Sequence, residues 1–229
     1  MSGVTEDIPT PESAAAPGVG RAGGSSAERG REAPSPASAR PRDIFQRLDR
    51  GEGYPYSVRE YARRFAWEWV QRTLIRFSPR RAHGWRRFWL RRFGAIIPST
   101  SATKASTKVI HPWLLTMGEH TWLAENVTVY NLGPISIGPH TTVSQDAYLC
   151  AGTHDYCKPH LPLVRPTITI GGGVWVCAGA FVGPGVTIGN NAVVGARAVV
   201  MQDVPADVVV GGNPARVIKP RRMDWSHPV

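Results

Sequence analysis

Three cysteines in 229 residues, Cys150, Cys157 and Cys177, form no close-spaced pair and leave one over, which excludes a disulfide framework and a Cys-x-x-Cys zinc site. Idle thiols in a reducing compartment follow. No apolar run reaches the roughly 18 residues that a membrane-spanning helix needs. The N-terminus has no apolar core between a basic start and a cleavage site, so no secretory leader is expected and a cytoplasmic location is. Residues 1–42 contain no aromatic side chain and are mostly Ala, Pro, Gly and Ser, a composition that cannot bury enough apolar area to offset chain entropy. A disordered tail is expected there. Acidic residues are also scarce, 17 against 27 Lys and Arg, for a formal charge of +10. Within the tail the two signs cancel, so the excess lies beyond residue 42.

What the chain does have is a rhythm. From Ile170 every sixth residue is aliphatic: Ile170, Val176, Val182, Ile188, Val194 and Val200. The residue four later is always small or β-branched: Val174, Ala180, Val186, Ala192, Ala198 and Val204. A fixed six-residue period implies a solenoid of very short flat strands, a parallel β-helix, and not the three-and-four spacing of a helix. Weaker hexads precede it at Ile97, Thr103, Val109, then Met117, Leu123, Val129, then Ile137, Val143, Leu149, with two-residue slips at His111–Leu115 and Gly133-Pro134. The rhythm fails between Leu149 and Ile170. Insertions in a solenoid project as loops and tend to carry function.

Ahead of the solenoid, apolar residues from Val58 to Phe77 recur at threes and fours. Ser57 and Glu60 form a capping box at the start, and Ser78-Pro79 ends the segment. A second segment, Trp85 to Phe93, sets Trp, Phe and Leu among paired arginines. Eleven arginines against Glu60 and Glu68 make 57–93 a basic amphipathic element. It can cover a flank of the solenoid with solvated arginines, or lie on the anionic inner face of the cytoplasmic membrane. Nothing resembling a base-stacking platform accompanies the arginines, so no nucleic-acid partner is expected. The organisation read is a tail over 1–42, a helical segment over 43–95, a β-helix over 96–220 with a projecting loop at 150–169, and a C-terminal tail over 221–229.

Residues 60–220 resemble a known family. The hexads resemble the left-handed β-helix, or hexapeptide-repeat, acyltransferases. Phe77-Ser78-Pro79-Arg80, Gly84-Trp85-Arg86-Arg87-Phe88, Val129-Tyr130-Asn131-Leu132, Tyr148 through Asp155 and Gly212 through Ile218 resemble its colanic acid biosynthesis acetyltransferase branch. The resemblance implies an all-β solenoid wound as a left-handed parallel β-helix of about five turns, and a homotrimer sharing its active sites between subunits. It further implies acetyl-CoA as cosubstrate, no metal, and a sugar or lipid-linked oligosaccharide acceptor.

A sugar hydroxyl attacks a thioester poorly unless a base takes its proton, and an imidazole titrating near pH 6.5 suits that task. His154 stands on the projecting loop and matches the family's catalytic His. Asp155, Asp146 or Glu125 could orient it, and a backbone carbonyl could do so equally. Asn131 matches the family's acceptor-orienting Asn, although an Asn turning a corner fits the sequence as well. Trp175 resembles the aromatic wall beside acceptor and pantetheine. His160, on the same loop, is the rival base or else contacts the acceptor, and Asp155 can contact the acceptor too. Ala178 and Ala196 match positions that hold pantetheine, and Arg216 and Lys219 match positions that hold phosphate. Two departures bear on the cofactor: Met201-Gln202 stands where Thr-Lys is usual, and Arg197 where Gly is. N-acetylation of an amino sugar and a non-catalytic scaffold at the membrane are the alternatives. A carbonic-anhydrase-like zinc site needs three clustered His, and His154 with His160 supplies two.

Overall fold

The computed structural model describes residues 46, 49, 56–224 and 226. The tail read over 1–42 lies outside the described residues. From Ala102 the chain winds as a parallel β-solenoid of three faces. The first coil holds β1 (Ala102–Thr103) and β2 (Lys108–Val109). The second holds β3 (Leu115–Met117), β4 (Trp122–Leu123) and β5 (Thr128–Tyr130), and the third β6 (Ile135–Ile137), β7 (Thr142–Val143) and β8 (Tyr148–Cys150). An arm, β9 (Thr153–His154) and β10 (Leu163–Val164), interrupts the winding. The fourth coil is β11 (Ile168–Ile170), β12 (Trp175–Val176) and β13 (Phe181–Val182), and the fifth β14 (Thr187–Ile188), β15 (Val193–Val194) and β16 (Val199–Val200). Face one runs β3-β6-β11-β14, face two β1-β4-β7-β12-β15, and face three β2-β5-β8-β13-β16. Face two continues through β17 (Val208–Gly211) to β18 (Arg216–Pro220), which folds back antiparallel.

The hexads are the inward side chains. All fifteen, from Ile97 through Thr103 and Val109 to Val200, are buried at 3 % exposure or less. Stacking them one coil above another removes each aliphatic side chain from water, worth roughly 1.5–3 kcal/mol apiece. Two corners turn through the left-handed region in every later coil. Between faces one and two these residues are His120, His140, Gly173, Asn191 and Asp207; between faces two and three they are Asn126, Asp146, Gly179 and Arg197. His120 and His140 are thus corner residues, their rings stacked with centroids 4.9 Å apart.

The first coil has no coil above it, and helices cover it. Helix α1 (Val58–Val70) starts at the Ser57–Glu60 capping box. It runs into a π-turn at Gln71–Ile75, and α2 (His83–Arg92) follows. Only part of the apolar stripe read from the sequence is buried: Val70 joins the core and Leu74 packs against it, while its other large members face outward. Val58, Phe65, Trp69 and Phe77 are 56–86 % exposed, whereas Trp67, Val70, Ile75 and Leu90 join the core. The contacts that decide this are polar. Trp67 Nε1 donates to the Val109 carbonyl at 2.7 Å, and Gln71 Oε1 accepts from the Val109 N–H at 2.7 Å, so both free groups at that strand edge are met by the helix.

Arg86 is not one of a set of solvated arginines. It is completely buried, and its guanidinium donates to the carbonyls of Thr103, Pro79 and Arg80 and to Ser78 Oγ at 2.9–3.0 Å. Burial and the neighbouring Arg87 push its pKa below the usual arginine range. Among the described residues no carboxylate shares the site; four oxygens from two segments do the work of one, and so tie the turn before α2 to β1. Replacing Arg86 with Ala strands those acceptors, each worth about 1–3 kcal/mol when buried and unmet. The Arg86→Ala chain should lose about 3 kcal/mol or more in urea unfolding, against about 0.5 kcal/mol or less for Arg92→Ala on the exposed side.

Candidate active site

The corner between faces three and one differs from the other two. It is where the two-residue slips fall and where the arm leaves. A 3-10 turn (Pro112–Leu114) fills it in the first coil, Leu132–Pro134 in the second, and residues 151–167 in the third. His111, Asn131 and Ala151 follow one another there at twenty-residue spacing. Asn131 is fully buried, its Oδ1 accepting from the His111 N–H at 2.8 Å and its Nδ2 donating to the His111 carbonyl. Both ends of its amide thus staple the second coil to the first, which is the corner role open to it from sequence.

His154 ends β9, opposite Leu163 in the antiparallel pair β9–β10. Its side chain is exposed, and Nδ1 lies 2.6 Å from the Leu161 carbonyl. A carbonyl only accepts, so Nδ1 carries the proton and Nε2 presents a lone pair outward. The orienting group is therefore backbone; none of Asp155, Asp146 and Glu125 supplies it. Asp155 builds the turn instead. Its carboxylate accepts from the Cys157 N–H at 3.0 Å and stands 3.7 Å from Lys158 Nζ, while its own N–H donates to the Pro162 carbonyl. His160 lies half-buried in that turn. Leu161, held at φ 47°, aims the carbonyl that His154 uses.

The remaining predicted residues lie elsewhere on the solenoid. Trp175 points outward from β12, its Nε1 donating to Ser144 Oγ at 2.9 Å. In a three-faced coil, face two lies opposite the corner that carries the arm, so one chain does not bring Trp175 to His154. Ala178 and Ala196 occupy the exposed corner between faces two and three in successive coils, joined by a bond from the Arg197 N–H to the Ala178 carbonyl. Arg197 takes φ 56° there, which explains why glycine suits the position. Arg216 and Lys219 are exposed on β18. Arg216 lines a cavity of about 310 Å³ together with Met201, Gln202 and Asp203, so the departure from Thr-Lys and the basic residue after the Asn-Pro turn meet at one place.

Sequence reasoning passed over His111. It is 2 % exposed, Nδ1 donates to the Asn131 carbonyl at 3.1 Å, and Nε2 has no partner among the described residues. Burial, with Arg64 next in effect, holds its pKa down at about 4, so the ring is neutral at pH 7. The twenty-residue step back from Asn131 was the signal that could have found it. Among the described residues no three His, Cys, Asp or Glu side chains group as metal ligands.

Residues 167–202 match the bacterial transferase hexapeptide (six repeats) family. The chain is 44 % identical over 155 residues to WcaF of Escherichia coli (strain K12), named for colanic acid biosynthesis acetyltransferase, covering 68 % of this chain and 85 % of that one. Its fold overlays a hexapeptide-repeat acetyltransferase from Vibrio cholerae O1 biovar eltor, solved with acetyl-CoA, at TM-score 0.67 and 27 % identity over 77 % of this chain and 96 % of that one. It also overlays a maltose O-acetyltransferase from Clostridium difficile 630 at TM-score 0.68 and 23 % identity, covering 74 % and 92 %. The chain therefore belongs to the hexapeptide-repeat acetyltransferases, left-handed β-helix enzymes, alongside the colanic acid biosynthesis acetyltransferase.

Proposed function

We propose that this chain transfers an acetyl group from acetyl-CoA to a hydroxyl of a sugar or exopolysaccharide precursor, with His154 as general base. The observation that carries the assignment is the Leu161 carbonyl on Nδ1, which leaves Nε2 bare and exposed. Nε2 takes the hydroxyl proton as the oxygen attacks the thioester carbonyl. The tetrahedral adduct collapses, the C–S bond breaks, and the imidazolium returns the proton to the coenzyme thiolate. Ester and free thiol are the products, and the His is restored. Acetyl-CoA as the donor is supported by the Vibrio cholerae relative solved with it.

In this reading the enzyme is a homotrimer. Because Trp175 lies on the face opposite the arm, a neighbouring subunit's Trp175, Ala178 and Ala196 complete the site around His154. Pantetheine runs along that small-residue corner, where backbone groups are reachable. Arg216 and Lys219 hold the phosphates, and the cavity beside Met201-Gln202 takes the far end of the coenzyme. Asp155 and His160 shape the acceptor side of the arm. Asn131, buried with both ends of its amide on His111, supports the corner at the foot of the arm and does not touch the acceptor. His154→Ala should cut thiol release from acetyl-CoA about a hundredfold or more with a competent sugar, leaving the KM for acetyl-CoA within about threefold. Release as fast as in the unaltered chain would remove His154 from the chemistry. Transfer to an amino sugar alone, with hydroxyl acceptors inert, would favour N-acetylation, and loss of acetyl-CoA binding would favour a scaffold.

The exposed aromatic side of 57–93 supports a second reading, peripheral contact with the inner face of the cytoplasmic membrane. Phe65, Trp69 and Phe77 point outward among exposed Arg59, Arg76 and Arg80, the arrangement that inserts rings below phosphate headgroups. Among the described residues no helix is long and apolar enough to cross a membrane. Phe65→Ser, Trp69→Ser and Phe77→Ser together should abolish co-sedimentation with phosphatidylglycerol vesicles without changing the melting temperature, since none of the three is in the core. Undiminished sedimentation would count against the membrane reading.

A further inference from the structure

The corner above the arm gathers more cationic groups than the proposed chemistry uses. Tyr56 lies edge-on to His111 with centroids 6.1 Å apart, and the Arg64 and Arg165 guanidiniums stand 4.1 and 4.7 Å from the Tyr56 ring centre. Arg165 follows directly on β10, two residues after Leu163, the strand partner of His154. That places its Cα about 7 Å of extended chain from the arm position that faces the base. His111 stands two coils from Ala151, about 10 Å along the stack. The cluster and the base thus share one corner within the length of a disaccharide.

Among the described residues neither Arg64 nor Arg165 meets a carboxylate at ion-pair distance. Glu60, whose pKa is lowered chiefly by the Ser57 N–H and less by Arg165 and His111, is held at the start of α1 by the Ser57 N–H and Oγ at 3.1 and 3.2 Å. Two guanidiniums on one ring, beside a neutral imidazole whose buried Nε2 has no partner among the described residues, gather oxyanion donors and a hydrogen-bond acceptor at one corner. A guanidinium matches an oxyanion through paired N–H donors, and the imidazole lone pair accepts from a hydroxyl. A molecule carrying both groups a few ångströms apart is an acidic sugar.

We infer that Arg64, Arg165 and His111 form an acceptor subsite for a negatively charged sugar, a hexuronate or a sugar phosphate, that presents a neighbouring hydroxyl to His154. The inference rests on the sugar acetyltransferase reading, but the binding it requires is measurable without turnover. The full His154→Ala chain is titrated by calorimetry with a panel of methyl hexuronides, hexose 1-phosphates and the matching neutral methyl hexosides. An anionic member should bind at least tenfold more tightly than its neutral counterpart, hexuronides alone pointing to a uronate and phosphates alone to a phosphorylated sugar. Arg165→Gln and Arg64→Gln should each weaken that binding about tenfold or more, Arg165→Lys should restore part of it, and acetyl-CoA affinity should not move. Equal binding of neutral and anionic sugars, no binding of any anionic sugar, or unaltered binding by Arg165→Gln would overturn the subsite. Should either Gln variant not fold, the comparison of charged with neutral sugars in the parent chain decides alone. Failure of the transferase reading would instead show as absent acetyl-CoA binding in the same titrations.

Discussion

The strands of each coil meet their backbone hydrogen bonds through the coil above and the coil below. A coil of two- and three-residue strands cannot stand alone, so the structure exists only as a stack, and the stack stays in register because one inward aliphatic side chain per face sits on the next. That constraint accounts for the period of six, for the glycine and left-handed residues at two corners, and for the need to close both ends. At the far end β18 folds back on β17. At the near end α1, the π-turn and α2 meet the first coil with Trp67, Gln71 and Arg86, which bond the carbonyls and N–H that no coil supplies.

The same constraint explains where chemistry is allowed. Two corners are tightly determined, since an insertion there would break the stack on both adjoining faces. The third corner tolerates extra residues in three successive coils, and it is there that His111, Asn131, His154 and Arg165 collect. Rigid coils on either side hold the foot of the arm, and the arm's own short ladder aligns His154 with Leu163. The His154 imidazole is thus positioned by backbone geometry more than by other side chains.

Much of this was legible in the residues. A buried side chain every sixth position leaves an unambiguous trace, and so does its failure between Leu149 and Ile170. The Ser57–Glu60 capping box was also readable, because the pattern is local. The buried side of α1 was legible only in part, at Val70, because amphipathicity reports where apolar residues lie and not which of them find a partner. Trp67 won through its indole N–H, and Phe65 and Trp69 were left outside. Arg86 looked like its neighbours because nothing in its type distinguishes a guanidinium that finds four oxygens from one in water. The partner of His154 was invisible for a different reason: a carbonyl belongs to every residue, and only the fold selects Leu161. His111 does not stand out in the sequence because its charged neighbours, Arg64 and Arg165, lie 47 and 54 residues away.

The central claim is that a backbone carbonyl fixes the His154 imidazole with its proton on Nδ1 and its lone pair on Nε2. Nitrogen-15 NMR of histidine-labelled protein, at a pH where the ring is neutral, reads this directly. The account predicts a protonated Nδ1 and a bare Nε2 for His154, with the assignment lost in His154→Ala spectra. A neutral ring carrying its proton on Nε2 would contradict it, because Nε2 would then have no lone pair to present outward.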